Sequence, residues 1–346
     1  MSSEVPAAPS RLRRYSWLIV LLVMVAMAPI GWSLFWYAKS RAAAAAVTQW
    51  TAQEARAGRN WSCPSQKISG FPYSIVIACE NMTFQSEVLG QNVSGGLHGL
   101  RATSPLLRSD NVLVKLEPPF TAKSASGNFD LSVQWSELLI EFEGTPSMIG
   151  QIAIMSGEVK VDGKVFGTDA AGTAFGDVNG LYARAPGRQD KAYDVIVSFH
   201  QGQIPGLNSV LGTNVPIALQ FEATMTPGVP NGAASFADTL EKWRTADGKL
   251  EVTFASLTSG PVDFNAKGSL ALDSEHRIAG KLDGHFAGLE KALRHLDLAP
   301  ALPSLGPALS GFLGGGKDEL KLPVIFSDGF LRIGPLRTGI AIPPLY

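Results

Sequence analysis

The stretch that decides the fold runs from Phe129 to Glu143 and reads FDLSVQWSELLIEFE. Apolar residues alternate with polar residues through most of it, and successive side chains of a β-strand point to opposite faces of a sheet. A helix, with 3.6 residues per turn, would not separate these residues into an apolar and a polar face. Clean alternation is typical of antiparallel sheets with one buried and one solvated face. The apolar set is Phe129, Leu131, Val133, Trp135, Leu138, Ile140 and Phe142.

The same period of two recurs further along the chain. It is present from Tyr193 to Phe199 and again from Val215 to Phe221. Asp162-Gly163 and Ser327-Asp328-Gly329, each flanked by apolar strand residues, predict two tight hairpin turns. The pattern therefore predicts many antiparallel strands.

Helical patterns are few after the N-terminal region. Ser235 is a suitable N-cap for a helix that ends before Gly248, and residues 288–298 place leucines on one helical face. Residues 299–316 are rich in Pro, Gly and Leu and predict a loop. The predicted fold class is mainly β: an N-terminal transmembrane helix and helical stalk, followed by a large curved antiparallel sheet, a groove or a sandwich, with two short helices.

The N-terminal segment WLIVLLVMVAMAPIGWSLFWYA, from Trp17 to Ala38, has no charged residue. About 20 apolar residues suffice to cross a bilayer as a helix. Three arginines stand between positions 11 and 14, while only Lys39 and Arg41 follow closely, so the basic residues favour a cytoplasmic N-terminus. We therefore expect a single-pass protein whose bulk is exported.

A cleaved signal peptide is the main alternative, because the small residues Ala42–Ala46 suit a signal peptidase. The apolar stretch is longer than the roughly 7 to 15 residues of a signal peptide core, which favours a retained anchor. Residues 39–60 contain good helix formers, with Gly58 as a stop, and predict a stalk that lifts the folded part off the bilayer.

These observations predict the domain organisation: residues 1–16 form a cytoplasmic tail, 17–38 a transmembrane helix, 39–60 a helical stalk and 61–346 a β-rich domain. A further boundary near residue 230 is compatible with the pattern.

The chain has two cysteines, Cys63 and Cys79. In an exported protein such a pair predicts a disulfide, whereas in a cytosolic protein the two would be ordinary buried thiols. The expected topology favours the disulfide. The five histidines are scattered, so no metal site is predicted.

The charge balance and the motif content limit the classes of function that the sequence supports. Lys and Arg number 29 against 30 for Asp and Glu, so the basic excess that nucleic-acid binding requires is missing. The sequence has no GxSxG, Walker A, GxGxxG or HExxH motif. We therefore predict no catalytic residue, cofactor or metal ligand.

Two segments resemble a known family. The region from Cys63 to Cys79, with the turn Gly70-Phe71-Pro72-Tyr73 shortly after Trp61, looks like the opening of the proteobacterial domain-of-unknown-function family 2125. The stretch GSLALDSEHRIAGKLDGHFAGLEKALRHLDL, residues 268–298, is similar to its C-terminal strand, turn, strand, helix pattern. The resemblance covers essentially the whole chain and implies an inner-membrane protein with a periplasmic bulk and no assigned activity. A Gly-aromatic-Pro turn behind an anchor is also similar to the AsmA-like proteins of the Gram-negative envelope.

Three functional hypotheses follow. The first is a non-enzymatic envelope protein, held in the membrane through residues 17–38, whose apolar concave face binds a lipid or another hydrophobic ligand. The alternatives are an exported hydrolase with an unrecognised site and an envelope scaffold. The groove of the first hypothesis would be lined by the seven apolar residues of the opening stretch.

Overall fold

The computed structural model describes residues 11–88, 91–108, 110–145, 148–165, 168–185, 191–211, 214–228, 236–287, 319–334 and 336–346. These residues form three helices and nineteen strands. In chain order they are α1 Arg11–Arg56, β1 Asn60–Ser62, β2 Lys67–Ser69, β3 Ser74–Val88, β4 Gln91–Pro105, β5 Asn111–Ser124, β6 Asp130–Trp135, β7 Leu138–Thr145, β8 Met148–Ser156, β9 Val159–Val165, β10 Thr168–Asp169, β11 Thr173–Arg184, β12 Tyr193–Gln203, α2 Pro205–Leu211, β13 Ile217–Thr226, α3 Phe236–Thr245, β14 Lys249–Ser259, β15 Val262–Leu272, β16 Ile278–Ala287, β17 Glu319–Ser327, β18 Phe330–Ile333 and β19 Leu336–Ala341.

All nineteen strands belong to one antiparallel sheet. Both β1 and β2 pair with β3, which is followed by β4 and β5. The long strand β5 pairs with β7 along its first half and with β6 along its second half. Strand β8 pairs with β7, and β9 pairs with β6. Strand β11 then pairs with both β8 and β9. From β11 to β19 each strand pairs with the next one along the chain. The prediction of a mainly β fold with a large antiparallel sheet behind an N-terminal helix is confirmed.

The two predicted hairpin turns have different outcomes. Asp328 and Gly329 join β17 to β18, and both have positive φ, 54° and 74°, as a two-residue turn of the favoured hand requires. That hairpin is confirmed. The hairpin at Asp162-Gly163 is wrong, because β9 continues through both residues. A Cβ at Gly163 would collide with the backbone carbonyl of Asp130 on β6, so this glycine permits close packing within the sheet rather than a turn.

Two of the three helices lie within the β-rich part. The predicted helix after Ser235 is confirmed as α3, and its buried Trp243 donates from Nε1 to the backbone oxygen of Pro227, 2.9 Å away. Helix α2 was not predicted from the sequence. The helix predicted at 288–298 and the loop at 299–316 lie outside the described residues.

Helix α1 continues through the predicted transmembrane segment and most of the predicted stalk. It ends near Gly58, whose φ is +77°, and a two-fold hydrogen bond from Arg59 to Glu54, at 2.6 and 2.7 Å, holds this end. The C-terminal part of α1 contacts the β-rich part. The indole of Trp50 lies 6.0 Å from the indole of Trp61 on β1, so α1 packs against the beginning of the sheet.

The core lies on one side of the sheet, in two clusters at its two ends. The first, on β3 to β9, is built around Cys79, Met82, Leu97 and Trp135. The second, on β13 to β17, contains Ala223, Val252, Ala266, Leu282, Phe286 and Val324. Strand β16 shows why the core is one-sided: Leu282, Gly284 and Phe286 are buried while the residues between them are exposed.

Cys63 and Cys79 form a disulfide, as predicted. It joins the connection between β1 and β2 to β3, with 5.8 Å between the two Cα atoms. The Cys79 side chain is part of the first core cluster. The bridge therefore fixes the first turn of the β-rich part against its core.

Opening this bridge is expected to destabilise the β-rich part. A cross-link that closes a loop with a sequence separation of 16 stabilises by about 3 kcal/mol in the chain-entropy model. We expect the pair Cys63→Ser and Cys79→Ser to lower the urea midpoint of unfolding accordingly. The reduced wild-type chain is the control, because it keeps both sulfur atoms in the core and loses only the cross-link. Equal midpoints for oxidised and reduced wild type would contradict this prediction.

Candidate functional site

One apolar row crosses the sheet from β2 to β17. Directly opposite residues of paired antiparallel strands point to the same face, so the register of successive pairs can be followed from strand to strand. Ile140 on β7, for example, lies opposite Val114 on β5 and Ile154 on β8. We call the complete set the central row: Ile68, Ile77, Ala102, Val114, Ile140, Ile154, Gly180, Val197, Phe221, Ala255, Ala266, Gly284 and Leu322. Every member is apolar or glycine.

The next row, one residue along each strand, lies on the opposite face and is largely polar. It is linked by the same pairings and contains Arg101, Lys115, Leu139, Met155, Asn179, Ser198, Gln220, Ser256, Asn265, His285 and Lys321. Only Leu139 and Met155 are apolar in this set. The sheet therefore has one apolar and one polar side over almost its whole length.

Six of the seven residues predicted to line a groove, all except Phe129, lie on the apolar side. Leu138, Ile140 and Phe142 share the face of the central row, because all three alternate along β7. Leu131 and Val133 on β6 lie opposite Ala122 and Phe120 of β5. Val133, Leu138 and the buried Trp135 meet in the first core cluster, where Trp135 Nε1 donates to the backbone oxygen of Leu116 at 3.0 Å. Phe129 precedes β6, and its backbone oxygen accepts a hydrogen bond from Ser124 N. Whether the set lines a groove stays a prediction.

Few of the described residues cover the apolar side between the two core clusters. In the part of the chain that the structure describes, close packing between elements joins neighbouring strands, and joins α1 to β1 and β3. Helices α2 and α3 lie in connections at the ends of strands. Ile154 and Val197 consequently remain 38% and 39% exposed although both belong to the central row.

Gly180 lies between Ile154 and Val197 and lowers the surface there. A Cβ at this position would meet only the Cβ of Ile154, at an ordinary contact distance of 3.7 Å. The backbone conformation does not require glycine at this position. The missing side chain of Gly180 leaves space above the strand. We call Ile154, Gly180 and Val197 the open floor. Tyr182, stacked on Tyr193 with 4.5 Å between ring centroids, stands beside it.

Sequence reasoning missed the open floor as a site. Val197 belongs to an alternating stretch that was recognised as a strand, but nothing in the sequence near Ile154 or Gly180 indicates that the three residues lie side by side. Only the register of β8, β11 and β12 brings them together.

A polar cluster near the C-terminus is the other feature with chemical potential. Tyr346 donates from its hydroxyl to Glu241 Oε2 at 2.8 Å and stacks on His276 with 4.4 Å between ring centroids. Arg244 donates to both carboxylate oxygens of Glu241. The pKa of Glu241 is lowered to about 2, and the hydrogen bond from Arg244 is the largest cause, with that from Tyr346 second. A carboxylate that stays ionised in this way is a poor general acid or base near neutral pH, and the cluster acts as a clamp for the C-terminus.

Metal binding has no comparable support. Among the described residues, no group of three or more His, Cys, Asp or Glu side chains could hold a metal ion.

Comparison with known proteins identifies a matching family profile. The profile of a family described as "Uncharacterized protein conserved in bacteria (DUF2125)" matches residues 36–341. No curated protein and no solved structure matches the chain.

The clamp predicts a pH dependence of stability. The pKa of Glu241 is lower in the folded than in the unfolded chain, so its contribution is present above the unfolded value and is lost as pH falls toward about 2. We expect Glu241→Gln to reduce the loss of stability between about pH 5 and about pH 3, measured by urea unfolding. Glu251→Gln, an exposed carboxylate change on β14, is the control and should retain the wild-type slope. Identical slopes for all three chains would contradict the prediction.

Proposed function

We propose that this chain, which belongs to the DUF2125 family of uncharacterised bacterial proteins, is anchored in the inner membrane by α1 and binds a lipid or similar apolar ligand on its sheet. The central row carries this proposal: it is apolar from β2 to β17, and the described residues provide no covering layer over the open floor. An apolar face must be covered by another layer or by a bound molecule. In a membrane-anchored protein, lipids are the nearest apolar molecules.

Contacts between α1 and the sheet support a retained anchor. By length and composition, α1 could be either an anchor or a signal sequence. Trp32 and Trp36 donate hydrogen bonds from their Nε1 atoms to the backbone oxygens of Pro72 and Ser74, at 2.9 and 2.8 Å. Cleavage near Ala42–Ala46 would remove both tryptophans from the domain they contact. These bonds therefore favour a helix that stays attached.

The disulfide and the charges flanking α1 support export. A bridge between Cys63 and Cys79 persists in an oxidising compartment such as the bacterial periplasm. The arginines before the apolar segment favour retention of the N-terminus in the cytoplasm. Together they support a periplasmic sheet.

The energetics favour a long-chain guest. Each CH₂ group that becomes fully buried contributes about 0.8 kcal/mol, and an acyl chain has enough such groups to offset the entropy lost on capture. Adjacent strands are about 4.8 Å apart, so the row from β3 to β17 is roughly 50 Å long. This length exceeds that of a single acyl chain.

The proposed topology predicts the activity of a reporter fused after Tyr346. A reporter that functions only outside the cytoplasm should be active, because the basic residues hold the N-terminus inside. The purified protein should retain its N-terminus and α1. A fusion that is active only with a cytoplasmic reporter would contradict the orientation, and a mature chain beginning near Ala46 would contradict the anchor.

Lipid binding predicts photo-crosslinking from one face of the sheet only. Benzoylphenylalanine in place of Ile154 or Val197, in the full chain in cells, should yield lipid adducts identifiable by mass. The controls are the neighbours Met155 and Ser198, which point to the opposite face. Met155 is 42% exposed, so it matches Ile154 in accessibility.

Filling the open floor should block the same adducts. Gly180→Phe is expected to lower the lipid yield at Val197 several-fold, whereas Asn179→Phe places the same ring on the other face and should leave it unchanged. Lipid adducts of equal yield from both faces would contradict the proposal. Adducts at Ile154 with residues of the same chain would show a covered core instead.

A further inference from the structure

The beginning of the sheet is attached to α1 before the apolar segment ends. Pro72, in the turn between β2 and β3, and Ser74, the first residue of β3, accept the two tryptophan hydrogen bonds. The ring of Phe71 also meets the Trp36 indole edge to face, with 5.7 Å between centroids. This turn is therefore held at the level of Trp32 and Trp36 along the helix.

That level lies inside the apolar segment. Trp32 precedes Ala38, the last residue before Lys39, by six residues, and Trp36 precedes it by two. At 1.5 Å per residue these separations are about 9 Å and about 3 Å along the helix axis. When α1 spans a bilayer, the turn between β2 and β3 consequently lies at the boundary between the headgroups and the hydrocarbon.

Large apolar side chains are exposed at this level. Phe71 is 55% exposed and Tyr73 80% exposed. The adjacent turn between β4 and β5 is joined to them by a hydrogen bond from Leu106 N to Tyr73 O at 2.9 Å, and it presents Leu107, which is 76% exposed. Exposed aromatic and leucine side chains side by side are unfavourable in water, whereas aromatic rings are favoured in the headgroup layer.

The charges near this edge are complementary to anionic lipids. Lys39 and Arg41 follow the apolar segment of α1, and the exposed Arg108 follows Leu107. Basic residues beside apolar side chains at a membrane surface are attracted by anionic headgroups. The arrangement therefore matches a bilayer surface, in which the apolar side chains lie at the hydrocarbon boundary and the cationic side chains lie among the headgroups.

We propose that the turns carrying Phe71, Tyr73 and Leu107 insert into the surface of the same membrane that α1 spans, so that the sheet begins at the lipid headgroups. This inference rests on the proposed anchoring and names the source of the bound lipid, the leaflet on the side of the sheet. Ile68 and Ile77, the members of the central row on β2 and β3, are then the first residues that an acyl chain leaving this leaflet meets.

A pocket between α1 and the turn agrees with this placement. It has a volume of about 550 Å³ and is lined mainly by Pro29, Ile30, Leu34, Tyr37 and Phe71. At this depth in a bilayer the molecules that surround it are acyl chains. The pocket would be filled by part of a lipid from the anchoring membrane.

Depth-dependent fluorescence quenching tests the inference with the full chain in vesicles of phosphatidylethanolamine and phosphatidylglycerol. An NBD label is attached at Tyr73→Cys or Leu107→Cys, with the native disulfide intact, and quenched by lipids that carry a nitroxide near the headgroup. The control is Asn92→Cys, at the opposite end of the β3–β4 hairpin and roughly 40 Å away along the strands. We expect several-fold stronger quenching at positions 73 and 107 than at position 92.

The tryptophan hydrogen bonds provide a second variant. Trp32→Phe combined with Trp36→Phe keeps aromatic rings but removes both Nε1 donors, and should reduce the quenching at position 73 at least two-fold. Trp50→Phe removes an indole above the proposed membrane level and should leave the quenching unchanged.

The outcomes separate this inference from the proposed function. Equal quenching at positions 73, 107 and 92, in a chain that resists alkaline extraction from the vesicles, overturns the inserted turns and leaves the anchor intact. A chain that alkaline treatment releases overturns the anchor and the inference together. Failure of the crosslinks at Ile154 with strong quenching at position 73 overturns lipid binding on the sheet alone.

Discussion

The register of the antiparallel ladder is the constraint on which the rest of the structure depends. Because side chains alternate between faces, a slip of one residue between any two strands would carry the central row to the polar side. The bulge on β14 shows this constraint at work. Val252 and Ala255 both lie on the apolar side although they are three residues apart, and Phe254, between them, is 37% exposed. The additional residue keeps Val252 and Ala255 on the same face as Ala223 and Phe221, their partners on β13.

In a sheet stabilised mainly by contacts between neighbouring strands, the first strands need contacts from outside the sheet, and α1 supplies such contacts. The disulfide, the Trp50–Trp61 contact and the two tryptophan hydrogen bonds all act on β1 to β3, the first strands of the series. Clamping by Tyr346 and Glu241 secures the other end of the chain against α3. Between the two ends, the open floor is the part of the apolar side that the described residues cover least, which explains why the proposed binding surface is central.

The alternation from Phe129 to Phe142 was sufficient to predict the strands and the shared face of Leu138, Ile140 and Phe142. Cys63 and Cys79, α3 and the turn at Asp328 were also predictable, because each depends on residues close in sequence or on the compartment. Asp162-Gly163 misled the prediction, since a glycine needed for close approach to Asp130 has the same local sequence as a glycine in a turn. Gly180 was not recognised because its neighbours Ile154 and Val197 come from two other strands.

The sequence by itself determined that the chain has an apolar N-terminal helix, a one-sided antiparallel sheet and a disulfide, because helix length, alternation and cysteine pairing are local properties. Only the tertiary structure decided that the apolar sides of successive strands join into one row, that α1 packs on the sheet, and that the floor at Gly180 is open. These features depend on which strand pairs with which and in what register, and that is a property of contacts between distant residues.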